Sequence, residues 1–370
     1  MIRQSLYAVM VIILGGIASC IDPFNPPEVL LNDTYLVYDG YINASGTDTS
    51  WVNLTRTVQL SDPNFAPKEV GATIQIENEL GETFSFQPVT NKPGSYFLPP
   101  VALNLEPAYR INIKLANGRN YQSEWEYFRE SPPLDSITYT RNGRDGIQIY
   151  VNTHDPNNQS KFYKWNLVET WEYISPLFSQ LEVVDGLIVE RQQEINRCWH
   201  SVTPTNISIF TTASLSQDVV RSFPLHYVNA SSNKLLLAYS IEVTQQVLTR
   251  EAFEYWSELA RNNETNGSIF DPFPSQLTGN IRSLDNPQER VMGFFSGGVT
   301  QSMRRFIYAG LGRLEECSIT DTLTRIEVLE SDMAIVHKIE PTELYWMADH
   351  SCIDCRIWGG GTIVKPDYWP

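Results

Sequence analysis

The fold of this chain is decided by residues 109–115, which read YRINIKL. Apolar side chains stand at every second position of this run, and polar side chains stand between them. Because successive side chains of a β-strand point to opposite faces, the run predicts a strand with one buried and one solvent-facing side. Asn117-Gly118 follows, and Asn-Gly is a preferred turn of two-residue β-hairpins. The stretch therefore predicts an antiparallel hairpin.

Short runs of the same kind surround this hairpin, and turn residues such as Asp39-Gly40 and Lys92-Pro93-Gly94 separate them. The predicted strands are 35–38, 51–55, 72–76, 83–86, 96–98 and 121–128. About seven strands in roughly 95 residues are typical of an immunoglobulin-like β-sandwich. Residues 34–130 are therefore predicted to form such a sandwich.

Ser131-Pro132-Pro133 interrupts this pattern and marks a predicted domain boundary. Beyond it, residues 133–370 contain further strand patterns, at 136–139, 146–151, 163–173, 235–243, 291–295 and 305–309. Residues 250–261 (REAFEYWSELAR) instead place their apolar side chains at helical spacing. We therefore expect a mainly β protein, in which the N-terminal sandwich is followed by a larger β-rich domain with one helix.

The N-terminus has the pattern of a bacterial lipoprotein signal peptide. Arg3 precedes an apolar run at 7–17, and Ile17-Ala18-Ser19 leads into Cys20. The run is shorter than the roughly 20 apolar residues that span a bilayer, so a permanent transmembrane anchor is disfavoured. We expect residues 1–19 to be a signal peptide, Cys20 to carry the lipid (palmitate among its acyl chains), and residues 20–33 to form a tether.

Four further cysteines lie in the C-terminal half: Cys198, Cys317, Cys352 and Cys355. An even number in an exported protein predicts two disulfides, although the sequence leaves the three pairings open. The spacing Cys352-x-x-Cys355 also serves zinc, haem and redox dithiols. Arg356 stands where attached haem requires a histidine, and the following Gly-rich segment predicts no helix to activate a thiol. Structural disulfides are therefore the favoured interpretation, and no metal site is predicted.

Composition narrows the classes of function. The formal net charge of −16 disfavours nucleic acid as a partner, because phosphate binding requires a basic surface. The chain lacks the Gly-x-Ser-x-Gly, His-Glu-x-x-His and phosphate-loop motifs. We therefore expect no enzyme, no catalytic residue and no cofactor.

Aromatic residues near the C-terminal end offer a candidate binding surface. Phe270 and Phe273 lie in a turn-rich loop, and Trp358 and Trp369 flank a Gly-rich tail. Tryptophan and phenylalanine at such places either contact a ligand or pack the domain closed. Both interpretations stand at this point, and packing is favoured.

A series of short motifs runs through the chain in order. It comprises the Cys20 motif, Asp39-Gly40, 71–74 (GATI), 133–137 (PLDSI), 163–165 (YKW), Cys198-Trp199, 270–275 (FDPFPS), 293–295 (GFF), 352–356 (CIDCR) and Tyr368-Trp369. In this order they resemble the Bacteroidota lipoprotein family known as domain of unknown function 4249.

The resemblance implies a cellular location and a class of partner protein. Such proteins look like outer-membrane lipoproteins that accompany TonB-dependent receptors, held by their lipid at the periplasmic face or the cell surface. The expected function is a non-enzymatic accessory or binding component of an uptake system. A cell-surface adhesin or structural lipoprotein is the first alternative, and a hydrolase whose site is invisible in the sequence is the second.

Overall fold

The computed structural model describes residues 34–58, 66–264, 277–312, 316–357 and 360–370. Nine strands come first along the chain: β1 (Leu36–Asn43), β2 (Ser50–Arg56), β3 (Thr73–Asn78), β4 (Thr83–Ser85), β5 (Gln87–Pro88), β6 (Ser95–Leu98), β7 (Tyr109–Lys114), β8 (Asn120–Ser123) and β9 (Arg129–Glu130). One sheet contains the order β5-β6-β2-β1, and a second contains β8-β7-β3-β4. The apolar sides of the two sheets share one core, so they form the predicted sandwich.

The run at 109–115 supplies the centre of that core. In the ladder between β3 and β7, Ile74 lies opposite Ile113 and Ile76 lies opposite Ile111. At most 1% of each of these four side chains is exposed. The alternation in the sequence therefore places every second residue in the core, which confirms the prediction for this stretch.

A second sandwich follows. Its strands and helix are β10 (Leu134–Asn142), β11 (Gly146–His154), β12 (Phe162–Ile174), β13 (Leu181–Val184), β14 (Leu187–Glu190), β15 (Arg197–Val202), β16 (Ser208–Thr211), β17 (Val219–Asn229), β18 (Tyr239–Val247) and α1 (Arg250–Glu264). The sheet β10-β11-β17 packs against the sheet β15-β12-β18, and Trp165 and Ile149 meet in the core between them. β16 pairs with β12, while β13 and β14 form a separate hairpin.

The chain then returns to the first sandwich. The next strands are β19 (Ile281–Ser283), β20 (Val291–Met292), β21 (Gly297–Val299) and β22 (Gln301–Ile307). β19 pairs with β8, β20 and β21 pair in parallel with β1, and β22 pairs with β18 of the second sandwich. The sandwich predicted at 34–130 thus also includes strands from residues 281–299, and the described chain crosses between the sandwiches three times.

A small sheet and a short helix close the fold. They are β23 (Asp321–Thr324), α2 (Arg325–Glu330), β24 (Ala334–Ile339) and β25 (Leu344–Ala348), with the strand order β23-β25-β24. Val328, Ile335 and Met347 form their core against the β13–β14 hairpin. The disulfide Cys198–Cys355 joins β15 of the second sandwich to the C-terminal segment, and Cys317–Cys352 joins the two ends of the small-sheet region. The expectation of two disulfides is confirmed.

Two local predictions need correction. Asp39-Gly40 was expected to form a turn, but both residues lie inside β1, opposite Asn53 and Val52 of β2. A Cβ at Gly40 would lie 2.9 Å from the backbone oxygen of Trp51, so glycine is required here by close strand contact. The expected helix is present as α1, but α2 adds a second one to the described residues. Neither helix is long and apolar enough to cross a bilayer.

Candidate functional site

A cleft of about 1190 Å³ opens between the first sandwich and helix α1, and we call it the α1 cleft. One wall is formed by the segment that follows β8 and by the first residue of β9, residues 124–129. The other wall is formed by one side of α1, from Arg250 to Arg261, together with Gln159, Lys161 and Phe162. Residues 278–280 line its end. Concave sites of this size that combine aromatic and polar groups are the usual places for ligands to bind.

Helix α1 is fixed at its N-terminus by Thr249. The backbone N–H of Ala252 donates to Thr249 Oγ1 at 3.3 Å, and the N–H of Phe253 donates to the Thr249 carbonyl at 3.0 Å. Threonine is a preferred residue at this capping position. Ala252 and Tyr255 are buried, and the Tyr255 ring lies 5.5 Å from that of Phe294. The apolar face read from the sequence therefore holds the helix against the protein, and its polar face borders the cleft.

A buried carboxyl group stands where the two walls meet. Only 8% of Glu126 is exposed, and Thr249 Oγ1 donates to Glu126 Oε1 at 2.6 Å. Burial raises the pKa of Glu126 to about 7, and the nearby charges of Glu251 and Glu124 act in the same direction. The hydrogen bond from Thr249 and the charge of Arg129 lower the pKa by less. Glu126 therefore exchanges its proton near neutral pH.

Two exposed aromatic residues flank Glu126. Trp125 is 39% exposed and Tyr127 is 51% exposed. The guanidinium of Arg110 lies 4.4 Å from the centroid of the Trp125 ring, a cation–π distance that orients the indole. Exposed aromatic side chains held in one orientation provide contact area with little loss of entropy on binding.

The cleft also carries unpaired charges of both signs. Besides Glu126, four carboxylates and four cations line it: Glu124, Glu251, Glu254, Glu258, Arg129, Lys161, Arg250 and Arg261. Within the described part of the chain, none of these eight has an oppositely charged partner within 4.0 Å, although fourteen ion pairs occur elsewhere, among them Arg110–Glu77. Because these acidic and basic side chains form no ion pairs with one another, they are available to a ligand that carries both positive and negative groups.

Residues 21–304 match the model of the family described as domain of unknown function DUF4249. This chain belongs to the DUF4249 family. The resemblance seen in the sequence is thereby confirmed for the family itself. No curated protein matches the chain.

Solved structures similar to this DUF4249 protein are remote. A two-domain fibronectin type III segment of chicken tenascin is 9% identical, covers 59% of this chain and 93% of its own, and gives a TM-score of 0.18. A DUF4785 family protein from Legionella pneumophila is 9% identical, covers 57% and 53%, and gives 0.20. The chicken interferon gamma receptor alpha chain is 10% identical, covers 58% and 89%, and gives 0.17. TM-scores this low carry no structural argument, so the assignment of this DUF4249 protein to the mainly β class is based on its own strands.

Of the four residues of the predicted binding surface, Trp369 alone lies within the described residues, and it does not line the cleft. Trp369 is only 6% exposed, since its ring packs 5.2 Å from that of Phe306 and its Nε1 lies 3.3 Å from Glu172 Oε2. It is therefore a core residue of this DUF4249 protein, not part of an exposed surface. Phe270, Phe273 and Trp358 lie outside the described residues, as does the lipidation candidate Cys20.

Sequence reasoning missed the α1 cleft. Residues 121–128 were predicted as a strand, and no role was predicted for Trp125 or Tyr127 within it. Their spacing of two residues around an acidic residue was the available signal. It could not be used without knowing that α1 lies opposite, because α1 is more than 120 residues further along the chain.

A second polar cluster lies inside the second sandwich. Glu169 is 2% exposed, and its carboxylate contacts Lys234 Nζ at 3.0 Å, Tyr239 Oη at 2.9 Å and His226 Nε2 at 3.3 Å. Burial alone would raise the pKa of Glu169, but the hydrogen bonds and charges of His226 and Lys234 outweigh it and lower the pKa to about 2. The carboxylate is fully occupied by protein groups, so this cluster stabilises the fold.

Metal binding has no support in the described residues. They contain no group of three or more His, Cys, Asp or Glu side chains placed to hold a metal ion. The four cysteines at 198, 317, 352 and 355 are consumed by the disulfides. The α1 cleft is therefore the candidate functional site of the described residues.

Proposed function

We propose that this DUF4249 protein is a lipid-anchored, non-enzymatic binding component of an outer-membrane uptake system, and that its ligand or partner binds in the α1 cleft. The observation that carries the proposal is the set of eight charged side chains around exposed Trp125 and Tyr127, none of which has an ion-pair partner within 4.0 Å in the described part of the chain. Elsewhere in the fold, charged side chains form ion pairs such as Arg56–Glu69, Arg110–Glu77 and Arg197–Glu172. The lack of such pairs in the cleft therefore favours a binding role for its charges.

The proposed lipid anchoring at the outer membrane is supported by observations other than the α1 cleft. The Cys20 motif and the family membership both favour a lipoprotein, and the family resemblance favours a TonB-dependent receptor as the partner. Changing Cys20 to alanine should move the protein from the detergent phase to the aqueous phase on Triton X-114 partitioning. Protease treatment of intact cells distinguishes the cell surface from the periplasmic face, and full shielding would oppose the adhesin alternative.

The partner is tested by purification from native membranes. A tagged wild-type chain should co-purify with a TonB-dependent receptor at near-stoichiometric yield. The double substitution Trp125→Ala/Arg261→Glu should reduce that yield, because it removes an exposed ring and reverses a charge in the cleft. Trp51→Ala is the matched control, since Trp51 is also exposed (49%) but does not line the cleft. Recovery of the chain alone would contradict the proposal.

Glu126 favours one other candidate function, a hydrolase. A carboxyl group with a pKa near 7 is suited to general acid catalysis, and it lies in a cleft. The purified chain would be incubated with panels of chromogenic glycosides, esters and peptides. Turnover that is lost in Glu126→Gln, with unchanged folding, would favour the hydrolase. Equal background rates in wild type and variant would favour the binding function.

A further inference from the structure

We propose that the outer face of the first sandwich binds a neutral oligosaccharide, whose sugar rings stack on Trp51 and Phe97. Neither residue lines the α1 cleft, so this second binding site goes beyond the proposed function. The proposal stands on the register of β1, β2 and β6 and on the polar side chains beside the two rings.

Three aromatic side chains form a row across these adjacent strands. Tyr41 of β1 lies opposite Trp51 of β2, and Trp51 lies opposite Phe97 of β6. The next residues along β2 and β6, Val52 and Tyr96, are in the core of the sandwich. Because successive side chains of a strand point to opposite faces, the aromatic row lies on the outer face of the sheet.

The row is open to solvent at two of its members. Trp51 is 49% exposed and Phe97 is half-buried, and their ring centroids lie 5.8 Å apart. Tyr41 is half-buried and its hydroxyl group is buried, so it forms the inner end of the row. We call Trp51 and Phe97 the aromatic platform.

A second row, of polar side chains, runs beside the aromatic platform. Asp39, Asn53 and Ser95 lie two residues further along the same three strands, which is a distance of about 6.8 Å on the same face. Asn53 Nδ2 donates to Asp39 Oδ2 at 3.2 Å, and Ser95 Oγ donates to Asn53 Oδ1 at 2.7 Å. Within the described residues, these bonds fix the Asn53 amide and leave its second N–H and Asp39 Oδ1 available to a ligand.

The aromatic platform is too small to anchor a stable protein interface. Such an interface buries about 800 Å² on each partner. A whole aromatic side chain supplies about 150–250 Å², and both rings of the platform are already partly covered. The two rings therefore supply less than about half of the required area, which fits a small ligand better than a protein.

The geometry of the platform favours a chain of sugar rings. The two ring planes are inclined at 39°, so one flat aromatic ligand cannot lie parallel to both. Sugar rings joined by rotatable glycosidic bonds can each lie on one of them, with their C–H groups against the aromatic ring. Each sugar hydroxyl both donates and accepts, which matches the acceptor of Asp39 beside the donor of Asn53. The exposed Asp39 carboxylate and the net charge of −16 favour a neutral sugar over an anionic one.

The test uses the full mature chain and an array of neutral gluco-, xylo-, manno- and galacto-oligosaccharides. At least one series should bind, with Kd below about 1 mM in calorimetry. Trp51→Ala should weaken binding about tenfold or more, because it removes the larger ring of the platform. Trp346→Ala is the matched control and should bind like the wild type, since Trp346 is also exposed (40%) but lies on β25.

Two further measurements test the parts of the site separately. Asn53→Ala removes the polar donor and should weaken binding about fivefold while both rings remain. A hexasaccharide should bind at least about tenfold more tightly than its monosaccharide, because only the longer ligand reaches both rings.

Failure of every oligosaccharide to bind, wild-type affinity in Trp51→Ala, or equal affinity for the monosaccharide and the hexasaccharide would each overturn the inference. So would a Trp51→Ala variant that sediments as a smaller species than the wild type, since a second copy of the chain would then cover the platform. Loss of receptor co-purification with saccharide binding intact would instead overturn the proposed uptake function alone.

Discussion

Replacing Glu126 with glutamine should stabilise the protein at alkaline pH. Its pKa rises from 4.5 to about 7 on folding, chiefly because the carboxyl group is buried. A carboxyl group whose pKa is raised in the folded chain holds its proton more tightly there. Its contribution to folding is therefore most favourable below about pH 4.5, and it declines as the pH rises to about 7.

The magnitude follows from the two pKa values. One pH unit between them is worth about 1.4 kcal/mol, so above pH 7 an ionised Glu126 destabilises the fold by up to about 3 kcal/mol. Glutamine is never ionised and still accepts the hydrogen bond from Thr249. Glu126→Gln should therefore raise the free energy of unfolding by about 2–3 kcal/mol at high pH and leave it nearly unchanged at low pH.

Urea unfolding followed by tryptophan fluorescence measures the difference at about pH 4 and about pH 8.5. Comparing variant and wild type at each pH cancels the titration of every other group. Glu254→Gln, at an exposed position of α1 on the same cleft, is the control and should change stability by less than about 0.5 kcal/mol. A Glu126→Gln variant with no gain at high pH would refute the argument that burial dominates this carboxyl group.

Three further outcomes are expected. Cys198→Ser should destabilise the chain by about 1 kcal/mol more than Cys317→Ser in chemical denaturation, because the 198–355 disulfide spans 157 residues and the 317–352 disulfide spans 35. Equal losses would contradict the loop-entropy account, and alkylatable thiols at these positions in the unreduced protein would contradict the disulfides. Glu169→Gln should cost about 3 kcal/mol at pH 7, and the cost should shrink as pH falls from about 4.5 toward 2, where the native carboxylate is protonated. Adding Lys234→Met should then cost little more, and full additivity would show that the two groups do not interact. Gly279→Ala should destabilise by more than about 2 kcal/mol, because no rotation moves a Cβ away from the Gly293 carbonyl; a normal melting temperature would disprove that contact.

Secondary-structure elements were predictable from the sequence where their hydrophobic pattern was long enough to show several periods. The run at 109–115 and the helix at 250–261 each show several periods, and both form where the sequence predicts them. β19, β20 and β21 are two or three residues long. That is too short to show an alternation, so their membership of the first sandwich could not be predicted.

The candidate site could not be predicted, because it is formed by residues that are far apart in the sequence. Cysteine counting predicts the number of disulfides because pairing depends only on residue type and compartment. The α1 cleft depends on contacts between residues 124–129 and α1, which local patterns do not encode. For Trp369 the sequence left ligand contact and packing open and favoured packing, and its buried ring agrees with packing.

The pairing of β1 with β20 and β21 fixes an order of events during synthesis. β1 leaves the ribosome early, but it meets its last partners only after about 250 more residues have been made. Until Gly297–Val299 arrives, one edge of β1 is uncovered and can pair with any other extended chain. The N-terminal sandwich of this protein therefore depends on its later sequence to finish folding, and a chain truncated before residue 281 should aggregate instead of yielding a stable domain.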